Sequence, residues 1–120
     1  MYLSIPTNWQ DDLLERINLS TTQEIYGKLE RDIIGGGRSS LLLAPISKSC
    51  LAGAVSSYHK RGFKFNYLLN ASCSNNIEWT SGGQRKIRKF LDWLARIGVD
   101  SVTVSIPYLL EMIKKCYPIN

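Results

Sequence analysis

Gly62-Phe63-Lys64-Phe65-Asn66-Tyr67-Leu68-Leu69-Asn70 is a compact aromatic and aliphatic run that gives way to a polar tract from Asn70 to Asn76, the pattern of a buried strand and its exit turn. Before it, residues from about Ser49 to Arg61 place Leu51, Ala54, Val55 and Tyr58 on one helical face, with Gly62 just past the end, where a left-handed residue is wanted. After it, Ser81 and Gln84 have capping-box spacing, and Ile87, Phe90, Leu91, Leu94 and Ile97 form an apolar stripe ended by Gly98. A strand set between two such helices belongs to an α/β fold with parallel strands and crossover helices.

The same alternation extends in both directions. Tyr2-Leu3-Ser4-Ile5, closed by Pro6, reads as a first strand. Thr7 and Gln10 then repeat the capping-box spacing and, with Trp9, Leu13 and Ile17 every four residues, predict an amphipathic helix. Glu24-Ile25-Tyr26 forms a second strand ending at Gly27, and Lys28 to Ser40 shows no period and reads as a long loop. Beyond Gly98, Ser101-Val102-Thr103-Val104-Ser105-Ile106 is a β-branched strand, and Pro107 suits the first turn of a helix running through Leu109, Leu110 and Ile113 until Pro118. Four βα units occupy the 120 residues, whereas a closed (β/α)8 TIM barrel takes roughly 250. The expectation is a single partial-barrel domain over residues 1–120, resembling half a TIM barrel and stopping before a fifth strand.

With 44% hydrophobic and 21% charged residues, the composition is that of a globular protein rather than a disordered or collagen-like one. No apolar run approaches the roughly 18 residues of a membrane span, and the N-terminus lacks a signal-peptide layout, so a cytoplasmic location and no membrane partner are expected. Cys50, Cys73 and Cys116 are odd in number, widely spaced and without a CxxC pair, which points to buried or spectator thiols rather than a disulfide framework or local metal site. The net charge is +5, with acidic residues concentrated in the first 32 positions, a balance compatible with anionic ligands or RNA and equally with simple solubility. The Arg85-Lys86-Ile87-Arg88-Lys89 run reads as a solvated helix face, since Ile87 belongs to the buried stripe.

In parallel α/β folds the working residues follow the carboxyl ends of the strands. That rule selects Tyr26, Gly27 and the loop residues Gly36, Gly37, Arg38 and Ser39, then Asn70, Ser72 and Asn75, then Ser105 as candidates for substrate binding. Glycine lets backbone N–H groups approach an anion that Arg38 and Ser39 can also contact, and Asn and Ser supply amides and hydroxyls that orient a substrate. Cys73 lies in the same tract but has no identifiable partner base, and His59 falls in a helix end, where it caps and solvates. Glu24 is the one carboxylate in a predicted strand, facing either the barrel interior or solvent. No catalytic constellation can be written from these residues, and no metal site is among them.

The order and spacing of Tyr26-Gly27 with the Gly35 to Ser40 loop, of Arg61-Gly62-Phe63-Lys64-Phe65 through Leu69-Asn70-Ala71, and of Ile97-Gly98-Val99-Asp100-Ser101-Val102-Thr103-Val104-Ser105 before Pro107 resemble the N-terminal part of peptidase family U-32, the collagenase-like peptidases. The resemblance implies a TIM-barrel-like catalytic domain of which this chain supplies about half, little activity from the piece alone, and a peptide or RNA substrate. Some relatives resemble iron–sulfur proteins of oxygen-independent hydroxylation, whose cluster cysteines lie in the other half of the barrel. None of the three cysteines here matches them, so an iron–sulfur cluster would belong to a longer parent and no cofactor to this chain. The family commonly has Asp before the proline where this sequence has Ile106-Pro107. The expected partner is the rest of the barrel or a second copy forming a homodimer. The alternative from a different class is a small anion- or RNA-binding α/β module without chemistry.

Overall fold

A computed structural model describes residues 2–10, 12–18, 20–34, 46–71 and 76–116. Within them run β1 (Leu3–Pro6), α1 (Leu13–Arg16), β2 (Thr22–Gly27), α2 (Lys48–Lys60), β3 (Lys64–Leu69), a 3-10 turn (Ile77–Trp79), α3 (Ser81–Arg96), β4 (Ser101–Val104) and α4 (Pro107–Cys116). The strands form one sheet in the order β1-β2-β3-β4, every neighbouring pair parallel. This is the expected α/β alternation, and its strand order follows the chain as in a barrel wall.

Period two in β3 divides the sheet into two unlike faces. Phe65, Tyr67 and Leu69 are fully buried in one core with Leu51, Val55 and Tyr58 of α2 and Ile87, Phe90, Leu91 and Leu94 of α3. Each such apolar side chain contributes about 1.5–3 kcal/mol on burial. Phe90 stands edge-on to Tyr67 at 5.6 Å, and Tyr58 stacks on Phe65 at 5.9 Å.

The other face is polar. Its centre is Glu24, whose carboxylate accepts hydrogen bonds from Ser4 Oγ (2.8 Å), Asn66 Nδ2 (3.2 Å) and Ser101 Oγ (3.4 Å), while Thr103 Oγ1 donates to Asn66 Oδ1 at 3.1 Å. All four strands therefore contribute to one polar layer. Glu24 is half-buried there, which resolves the orientation that the sequence left open.

Two helix starts differ from expectation. The spacing of Thr7 and Gln10 does not open a helix: Thr7 Oγ1 accepts from Trp9 N, Asn8 Oδ1 accepts from Gln10 N, and Trp9 takes a left-handed φ of 59°. These short side-chain bonds compete with helical ones, so only the four residues of α1 wind up. For α3 the N-cap is Thr80 rather than Ser81, its Oγ1 accepting from Gly83 N at 2.9 Å. Gly62 and Gly98 do take the left-handed conformation after α2 and α3, with φ of 87° and 89°.

Candidate functional site

The carboxyl ends of β1, β2 and β3 enclose a cavity of about 300 Å³ lined by Pro6, Thr7, Trp9, Tyr26, Gly27, Lys28, Leu68 and Asn70. Thr7 is fastened over β2 by its N–H to Tyr26 O (2.8 Å), and its hydroxyl meets Tyr58 Oη at 2.5 Å. Trp9 packs its indole against Phe65 at 6.1 Å. A non-glycine residue in the left-handed region costs on the order of 1–3 kcal/mol, and here that conformation sets an aromatic wall at the cavity.

Gly27 makes this arrangement fit. A methyl group there would lie 2.4 Å from Thr7 Cγ2 and 3.1 Å from the Trp9 ring, so only glycine lets the β1 exit fold down onto the end of β2. Gly27→Ala is expected to cost about 1–3 kcal/mol and to push Thr7 and Trp9 off the cavity. A thermal melt checks the first effect, and the Trp9 indole N–H resonance the second; an unchanged resonance would contradict the packing described.

Below the cavity sits a buried charged network. Lys28 Nζ lies 3.1 Å from Asp32 Oδ2, with the two side chains 5% and 0% exposed. The same Oδ2 accepts the Tyr67 hydroxyl at 2.6 Å, the Tyr67 oxygen accepts Leu29 N at 3.0 Å, and Asp32 Oδ1 accepts Ile34 N at 3.0 Å. Burial, and then the charge of Asp32, holds the Tyr67 phenol far above its ordinary range, so it remains a neutral donor. The network ties the turn after β2 to the middle strand and holds Lys28, a cation that also lines the cavity, in place.

Tyr26, Gly27 and Asn70 are thus brought together at one mouth, as the strand-end rule expects. Ser105 is not with them: it is exposed and lines a separate cavity at the end of β4. Gly36, Gly37, Arg38, Ser39, Ser72, Asn75 and the thiol of Cys73 lie outside the described residues. Trp9 and Lys28 line the mouth although the sequence placed Trp9 on a helix face and gave Lys28 no role. Extending the rule to the end of β1, and one residue past Gly27, would have found Thr7 and Lys28.

At the opposite end of the sheet, His59 Nε2 and Phe65 N both bond Asp100 Oδ2, at 2.7 and 2.8 Å. His59 there joins the end of α2 to the start of β4, far from the mouth in the strand direction, which agrees with a structural role. Cys50 and Cys116 are exposed rather than buried. Among the described residues no three His, Cys, Asp or Glu side chains converge as a metal-binding group, and no helix is long and apolar enough to cross a membrane. Arg85, Lys86, Arg88 and Lys89 are all exposed around buried Ile87, as a solvated face requires. Lys86 and Lys89 nevertheless join Arg31, Lys48 and Arg96 around an outer cavity of about 320 Å³.

No family model matches the chain. Over 83 residues, 69% of its length, it is 34% identical to a protein of Methanocaldococcus jannaschii named as an uncharacterized protease, and the match spans 24% of that relative. In structure it is similar to the U32 peptidase Mk0906, with a TM-score of 0.74 and 20% sequence identity, covering 99% of this chain and 47% of that one. The chain therefore spans about a quarter of the curated relative and about half of the solved one. Its resemblance to a U32 peptidase is one of fold, and its sequence resemblance is to an uncharacterized protease.

Proposed function

We propose that this chain forms part of the catalytic barrel of a U32-type peptidase, supplies the β1–β3 side of its peptide pocket, and does not turn over substrate alone. The observation that carries this reading is the mouth cavity, where Tyr26, Gly27 and Asn70 meet at the carboxyl ends of three parallel strands, the end at which barrels of this kind hold substrate. Trp9 and Leu68 would take an apolar side chain of the peptide, and the Asn70 amide would hydrogen-bond its backbone.

In this reading the missing chemistry comes from the rest of the barrel, which is the natural partner for the polar layer around Glu24, in preference to a second copy. Any iron–sulfur cluster would be held by cysteines outside this chain. The β4 edge, whose strand is only four residues long, would be covered by the next strand of the same barrel.

The test is a paired assay on denatured-collagen peptides. Labelled gelatin should remain uncleaved by the chain alone, while unlabelled gelatin peptides should bind, with Asn70→Ala weakening affinity by about two- to tenfold through loss of a hydrogen bond. Cleavage by the isolated chain would overturn the claimed inactivity. Equal binding by wild type and Asn70→Ala would overturn the pocket assignment.

A further inference from the structure

A second cavity, of about 440 Å³, opens at the carboxyl end of β4 between the 3-10 turn and the start of α4. Glu78 and Trp79 line it from the turn, Ser105 from the strand exit, and Tyr108 and Glu111 from one face of α4, three residues apart. Trp79 is 68% exposed, although a tryptophan gains by burial and nothing in its own turn requires one. Its ring stands 5.4 Å from that of Tyr108 at an angle of 48°, so the two aromatic faces form an open wedge. Among the described residues the lining holds two carboxylates and no lysine or arginine, in a chain whose net charge is +5. Arg88 and Lys115 line a smaller neighbouring cavity on the far side of Tyr108 and Glu111.

We propose that this cavity is a subsite for a cationic side chain of a bound peptide, arginine above all. A guanidinium is planar, weakly hydrated and forked: it can lie on an aromatic face while its N–H groups reach a carboxylate at the rim. Trp79 and Tyr108 supply the faces, and Glu111, exposed on α4, the charge. The wedge and the mouth cavity both lie at the carboxyl ends of the strands, so one extended peptide can address both. The inference rests on the peptide-binding reading of the mouth, but its ligand chemistry is its own.

The experiment is an amide-shift titration of the whole chain with acetyl-Gly-Arg-Gly-amide and, separately, with acetyl-Gly-Gln-Gly-amide, read at the backbone amides of Ser105 and Tyr108. The arginine peptide should bind about tenfold more tightly than the glutamine one, and Trp79→Ala should remove most of that preference. Glu111→Gln, on an exposed helix position, should weaken arginine binding several-fold without changing the fold, and Trp79→Phe should retain part of it. Equal affinity for the two peptides, or an arginine preference that survives Trp79→Ala, would overturn the subsite. Shifts at Ser105 and Tyr108 with the arginine peptide, together with none at Tyr26 and Asn70 when gelatin peptides are titrated, would preserve the subsite and contradict the mouth pocket. The reverse pattern would preserve the pocket and contradict the subsite.

Discussion

Asp32→Ala is expected to destabilise the chain by about 3–5 kcal/mol, because it strips the counter-charge from a lysine that is only 5% exposed. The lost carboxylate also leaves the Tyr67 hydroxyl and Ile34 N–H without acceptors they use in the folded state. Against the 5–15 kcal/mol that holds a typical domain together, this is a large fraction. Urea unfolding should show it as a fall in midpoint of more than about 1 M. The double variant Lys28→Met with Asp32→Leu separates charge loss from shape loss. An apolar pair of similar size removes both ions together and should recover the part of the loss that comes from the unpaired lysine, while the Tyr67 hydroxyl and Ile34 N–H, still without their acceptors, keep it below wild type. If the single variant unfolds at the wild-type midpoint, or if the double variant is worse than the single one, the buried network is not what holds the β2 exit.

Gly83→Ala should be nearly as damaging, and its neighbour should behave in the opposite way. A methyl group at Gly83 would lie 1.9 Å from Ile77 O and 2.6 Å from Thr80 Oγ1, so the 3-10 turn must move and the Thr80 cap must open. Overpacking against backbone and loss of an N-cap together suggest a cost of about 2–4 kcal/mol. At Gly82 nothing lies within 4 Å of the same methyl. Gly82→Ala should therefore stabilise by about 0.5–1 kcal/mol, since alanine is the better helix former. Two adjacent glycines with opposite signs form an internal control that a thermal melt can read. Equal effects would mean that the turn before α3 does not pack as described.

Much of the fold was legible because it follows from periodicity. The stripe Ile87, Phe90, Leu91, Leu94 is buried as its spacing requires, and Phe65, Tyr67 and Leu69 share the face that a period of two assigns them. The helix expected after Pro6 was not legible. Thr7 and Asn8 have side chains able to cap a helix or to close a tight turn, and the choice depends on Trp9 reaching Phe65, a contact 56 positions along the chain. Propensity sees only the neighbours and cannot weigh that contact.

The site divides in the same way. That Tyr26, Gly27 and Asn70 lie together at the candidate mouth was legible because they sit at strand ends, and the rule for parallel sheets needs only the strand boundaries. Lys28 looked like one of many surface lysines until Asp32, Tyr67 and the turn between them were folded over it. The orientation of Glu24 depended on the register of β1 against β2, where an irregularity between Leu3 and Ser4 shifts the pairing and brings Ser4 opposite Glu24. Trp79 and Tyr108 are 29 positions apart and on different elements, so no local pattern joins them.

The account stands on the mouth of β1, β2 and β3 being the place where peptide binds. The most direct measurement is a map of backbone amide shifts over the described residues during titration with unlabelled gelatin peptides. The account predicts that the largest changes gather at Thr7, Trp9, Tyr26, Gly27 and Asn70, with little change at His59, Lys64 and Asp100 at the other end of the strands. Changes concentrated around His59 and Asp100, or none at saturating peptide, would contradict it.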